Sequence, residues 1–140
     1  MTPELREKLI AFGVSSNPFN SHNHFRITDV DDGTSVVEAE LCRDSLNSWN
    51  TPHGGLLFAM ADVACGTATV SLRQEQCVTA SASIDYIAAA GGEGRLRAEG
   101  RVLHCGGRLC YCAAEVRDER GTLLARLNTT MYFTGRKLAL

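Results

Sequence analysis

The sequence predicts an α+β fold in which one long central helix is wrapped by a curved antiparallel sheet of about six strands. Three observations carry this expectation. The stretch from Gly54 to about Arg73 is apolar at nearly every position, with Leu, Ala and Met dominating its first half, as a core helix requires. Roughly six other stretches alternate apolar and polar residues with the period of half-buried strands. Most of these are joined by short turns, which only antiparallel neighbours allow. With 140 residues the chain suits one domain with a real core, so a single domain over 1–140 is expected.

Met1 to Gly13 reads as a short amphipathic helix. Thr2 can cap it, Pro3 suits its first position, and Leu5, Leu9, Ile10 and Phe12 offer an apolar side. Acids and bases run through this segment, so it lacks the apolar centre of a signal peptide. Ser15 to His24, rich in Ser, Asn and His, reads as loop. Phe25 to Asp31 and Thr34 to Leu41 read as strands joined by Asp32-Gly33, a strong hairpin signal. Arg43 to Pro52 is polar and irregular. The helix follows; at ~1.5 Å per residue it is roughly 28 Å long, and its apolar circumference predicts burial on all sides. Val78 to Ile87 alternates, placing Val78, Ala80, Ala82, Ile84 and Tyr86 on one face and Thr79, Ser81, Ser83 and Asp85 on the other. Arg95 to Cys105, Leu109 to Arg117 and Thr122 to Phe133 complete the sheet, with turns at Gly106-Gly107 and Gly121. A curled sheet keeps two edges, and an edge invites pairing with a second copy.

Composition narrows the function. Apolar residues make up 44% and charged residues 21% of the chain, the profile of an ordinary globular protein. A net charge of −2 argues against a nucleic-acid partner, which needs a concentrated excess of Lys and Arg. No uninterrupted apolar run reaches the ~20 residues that span a bilayer. The six cysteines form no Cys-x-x-Cys pair and read as reduced, mostly buried thiols in a cytoplasmic protein. His104 with Cys105, Cys110 and Cys112 matches no common zinc spacing, so no metal is expected.

Asp62 is the only acidic or basic residue between His53 and Arg73. A carboxylate inside an apolar helix is either a functional group, a group at a solvent window or the partner of a neighbouring strand. Upstream, His53-Gly54-Gly55 opens the helix. A helix start presents unpaired N–H groups and the positive end of the dipole, and glycine lets a ligand approach them, which suits a developing oxyanion. Gly54 and Asp62 are eight residues apart, about 12 Å along one helix. One chain alone therefore does not readily assemble a site, whereas two chains can bring one helix start to the other's Asp62.

The run Asn47-Ser48-Trp49-Asn50-Thr51-Pro52-His53-Gly54-Gly55-Leu56-Leu57-Phe58-Ala59-Met60-Ala61-Asp62 resembles the signature of the PaaI-like acyl-CoA thioesterases. These belong to the hotdog-fold superfamily, alongside the 4-hydroxybenzoyl-CoA thioesterases. Ser83-Ile84-Asp85-Tyr86-Ile87, Gly94-Arg95-Leu96-Arg97-Ala98 and Ala125 to Tyr132 also fit the family, so the resemblance covers roughly residues 25 to 134. Ile87-Ala88-Ala89-Ala90 departs from it by lacking an Arg-Pro-type ending. The resemblance implies a hotdog fold, a homodimer or a dimer of dimers, and hydrolysis of an acyl- or aryl-CoA thioester at sites between two chains. It implies no cofactor. It casts Asp62 as general base or nucleophile, the Gly54 N–H as the group polarising the thioester carbonyl, Asn47 as an orienting group and Thr79 as a hydroxyl that helps hold water. For substrate contacts His53, Gly55, Trp49, Phe58 and Tyr86 are the candidates.

Blander roles stay open at several positions: turn chemistry for Asn47, helix entry for His53 and an ordinary strand threonine for Thr79. Arg101, Arg108, Arg136 and Lys137 are weak candidates for the CoA phosphates, set against plain surface charge. Two rival functions use the same residues. A hydratase or dehydratase would pair His53 with Asp62, and a non-catalytic acyl-CoA-binding protein would bind without turnover. The glycines after His53 favour hydrolysis.

Overall fold

The computed structural model describes residues 1–140. Helix α1 spans Pro3–Ser15, with Thr2 accepting the Leu5 N–H at 3.2 Å and Pro3 in its first turn. The expected loop after it contains a short helix, α2, Pro18–His22. Asn17 caps α2 and Pro18 opens it, the same signals that start α1; five residues are too few for apolar periodicity to reveal it. Strands β1 (Phe25–Asp31) and β2 (Thr34–Glu40) pair across Asp32-Gly33. Gly33 has φ +76°, which the tight turn requires. A 3-10 turn over Arg43–Ser45 leads to helix α3, Gly54–Arg73. Strands β3 (Glu75–Tyr86), β4 (Arg95–Cys105), β5 (Leu109–Arg117) and β6 (Leu123–Lys137) follow.

All six strands form one antiparallel sheet in the order β1-β2-β4-β5-β6-β3. The sheet wraps α3, as the expected hotdog fold demands. Met60, Ala61, Ala64 and Cys65 are fully buried in one core with Val37, Leu96, Ala98, Val116 and Leu127. The approach is closest at β4. A Cβ on Gly100 would lie 2.5 Å from the Ala64 carbonyl carbon, so only glycine lets the strand meet the helix backbone. Beside it the buried Ser35 hydroxyl donates to the Ala64 carbonyl at 2.7 Å. By length and hydropathy α3 could cross a bilayer, but in this fold its apolar inner surface is spent on the sheet.

Two expectations need correction. First, α3 is not buried on all sides. Phe58, Ala59, Asp62, Val63, Gly66, Thr67 and Val70 are only half-buried, so one side of the helix stays partly open. Second, β3 does not alternate evenly. Its pairing with β6 slips between Thr79 and Ser81, so Ala80 is an extra, bulged residue. Before the bulge Cys77 and Thr79 oppose Phe133 and Met131; after it Ala82, Ile84 and Tyr86 oppose Thr129, Leu127 and Ala125. Thr79 therefore does not share a face with Ser81 and Ser83. A one-residue slip reverses every side chain beyond it, and periodicity read across the bulge misses the reversal.

Candidate active site

The bulge delivers Thr79 to the helix. Its hydroxyl donates to Asp62 Oδ1 at 2.7 Å and lies 3.5 Å from the Met131 sulfur. Asp62 is half-buried, and its Oδ2 makes no protein hydrogen bond. The carboxylate thus both faces a solvent-reachable space and bonds a neighbouring strand, two of the situations open from sequence. Asp62 and Thr79 line a cavity of about 230 Å³ between α3 and the α1–α2 segment, walled by Leu9, Phe12, Ile27 and Val70. No sequence pattern pointed to α1 and α2 as walls, because helices that cover a site look like helices that cover a core. Cys77 also lines this cavity. Burial, with the nearby Cys112 and Asp62, pushes its thiol up to about 12, so it is not a ready thiolate nucleophile.

The helix start forms a second, separate cavity of about 200 Å³, lined by Asn47, Gly54, Leu57 and Tyr86. It shares no residue with the first. His53 caps α3, its Nδ1 accepting the Gly55 N–H at 2.9 Å. That contact consumes the Gly55 donor, while the Gly54 N–H has no protein partner. The Tyr86 hydroxyl donates to the Gly54 carbonyl at 2.7 Å, and its ring lies so close that a Cβ on Gly54 would stand 3.1 Å away. Asn47 builds its own loop: Oδ1 accepts the Trp49 and Thr51 N–H groups at 2.9 and 3.2 Å, and Nδ2 donates to the Thr51 hydroxyl at 2.9 Å. Leu46 and Pro52 close this loop as an isolated bridge.

The structure thus brings Asp62 to Thr79, and Asn47 and Tyr86 to Gly54. It does not bring His53 to Asp62 within one chain, as the hydratase alternative would need. Trp49 is 82% exposed. Phe58, half-buried, packs against the core, and neither it nor Trp49, His53 or Gly55 lines either cavity. Of the basic candidates, Arg108 donates to the Tyr132 hydroxyl and Lys137 to the Arg73 carbonyl, and none of the four lines either cavity.

Residues 50–125 match the family model described as the thioesterase superfamily. A protein of Archaeoglobus fulgidus named, by inference, as an esterase is 30% identical over 107 residues, covering 76% of this chain and 69% of that one. A hypothetical thioesterase of Streptococcus pneumoniae, solved with coenzyme A, is 29% identical. It superposes with a TM-score of 0.76 over 81% of this chain and 88% of that one. The phenylacetic acid degradation protein PaaI of Thermus thermophilus, solved as a point mutant, is 28% identical, with a TM-score of 0.78 over 87% of this chain and 100% of its own. The E. coli PaaI protein, at 24% identity, shares the fold with a TM-score of 0.86 over 95% of this chain and 98% of its own. The matched span covers more than half of the chain, from the loop before α3 into β6, and on that ground the chain belongs to the thioesterase superfamily and is a thioester hydrolase with the hotdog fold.

Proposed function

We propose that this enzyme hydrolyses an acyl- or aryl-CoA thioester with Asp62 as its catalytic carboxylate and the Gly54 N–H as its oxyanion donor. The observation that carries the reading is the 2.7 Å hydrogen bond from Thr79 to Asp62 Oδ1 beside an open cavity. A hydroxyl donating to Oδ1 orients the carboxylate and leaves Oδ2 to accept a proton from water. That water adds to the thioester carbonyl carbon, and its proton passes to Asp62. The carbonyl oxygen takes up negative charge against the Gly54 N–H at the positive end of α3. Collapse of the intermediate breaks the C–S bond, and the CoA thiolate leaves and is protonated. Binding of coenzyme A by the pneumococcal relative supports CoA as the carrier.

The two halves of this machinery lie in separate cavities of one chain, so the working site takes Asp62 and Thr79 from one protomer and the helix start from its partner. The long edge strand β3, exposed along most of its length, supports a homodimer with a continuous sheet, which can pair again into a tetramer. Residues 1–140 act as one hotdog domain. Six free thiols suit a reducing, cytoplasmic compartment.

Asp62→Asn keeps the shape and removes the base. In a thiol-release assay it should lower kcat by about 10²–10⁴-fold with an unchanged melting temperature. Turnover near the wild-type rate would remove Asp62 from the mechanism.

A further inference from the structure

Gly66 is the residue of α3 whose identity packing does not explain. It lies four residues beyond Asp62 on the same face of the helix. A glycine in mid-helix is less favourable than alanine, so its presence needs a reason. The close-packed glycines have one: a Cβ on Gly100 would strike the α3 backbone, and a Cβ on Gly13 would overlap the Ile27 side chain. At Gly66 an added Cβ would meet no atom within 4 Å. The open space is the cavity beneath α1 and α2, and Gly66 forms its floor between Asp62 and Val70.

We propose that Gly66 is a specificity-determining residue. The acyl group of the thioester lies across the bare helix backbone at Gly66, between Asp62 and the α1–α2 cap. The missing side chain sets how large an acyl group the enzyme accepts. This inference rests on the acyl-CoA reading above and adds to it the place of the acyl group.

Two features favour this occupant. The walls facing Gly66 are largely apolar, through Leu9, Phe12 and Ile27, which suits a hydrocarbon rather than a nucleotide. The volume of about 230 Å³ exceeds the about 150 Å³ that holds a benzene ring, so a ring or a chain of about six carbons fits and a long fatty chain does not.

The test measures kcat/KM for acetyl-, hexanoyl- and phenylacetyl-CoA with wild type, Gly66→Ala and Gly66→Leu, together with melting temperatures. The hexanoyl-to-acetyl and phenylacetyl-to-acetyl ratios should fall about tenfold or more for Gly66→Leu and about threefold for Gly66→Ala. The Ala variant should melt about 2–4 °C higher, because the helix gains while no packing is lost. An active wild type whose ratios are unchanged by either variant, or a Gly66→Ala that melts lower, overturns this inference alone. A wild type that turns over none of the three thioesters overturns it together with the acyl-CoA reading. If Gly66→Leu does not fold, the Ala variant decides.

Discussion

The two ends of the candidate machinery are built from different materials. Around Asp62 the chemistry sits on side chains: a carboxylate and a hydroxyl joined at 2.7 Å, beneath a cap made of α1 and α2. At the start of α3 it sits on the backbone: one free N–H, a neighbouring N–H taken up by His53, and a carbonyl held by Tyr86. A side-chain site is changed by altering one residue's chemistry. A backbone site is insensitive to most substitutions and yields only to those that alter the peptide itself. The contrast also explains why a dimer is useful here. A helix dipole can serve a reacting carbonyl only at its end, whereas Asp62 needs a wall of packed side chains beside it, and these lie about two turns apart on one rigid rod.

After Asp62→Asn, the largest expected effect tests the backbone half. Gly54 is the first helical residue, a position that tolerates proline, and His53 before it has φ −61° and ψ 135°, a conformation that proline permits in its predecessor. Gly54→Pro therefore deletes the N–H while keeping the helix start, and the exposed Tyr86 can yield to the added ring atoms. We expect kcat to fall about 10²–10³-fold with little change in helicity by circular dichroism. Mixed with Asp62→Asn and refolded together, the two inactive proteins should regain about a quarter of wild-type activity, since half the dimers then carry one intact site of two. No recovery in demonstrably mixed dimers would show that both halves act within one chain.

The next effect concerns how Thr79 is aimed. Deleting Ala80 removes the bulge from an edge strand and reverses the facing of one side of it relative to the other. Loss of the Thr79–Asp62 contact removes a hydrogen bond to a charged group, equivalent to about 10- to 100-fold in kcat, measured by thiol release. Ser81→Ala, on the outward face, serves as the control that should not move. A deletion variant of normal activity would mean that the bulge does not set the geometry of the pair. The smallest effect is expected from Tyr86→Phe. It frees the Gly54 carbonyl on an exposed surface and should reduce kcat/KM by about two- to tenfold, with no loss of folded protein in a melting scan.

Much of this was legible in the residues. The long helix and its cap, the hairpin at Asp32-Gly33 and the six strands follow from local chemistry, because turns, caps and apolar period are properties of neighbouring residues. Asp62 and Gly54 stand out for the same reason: one is a charge in an apolar run, the other opens a helix. The α2 helix was signalled by Asn17-Pro18 yet too short for period to show. Tertiary structure alone decided which face of α3 stays open, because an almost wholly apolar helix gives no direction of its own. It alone placed the bulge at Ala80, since register depends on the partner strand β6. It alone set α1 and α2 over Asp62 and left Gly66 facing empty space. Chain-local energetics choose elements and caps; the spaces between elements, where a substrate must fit, exist only once residues distant in sequence have packed.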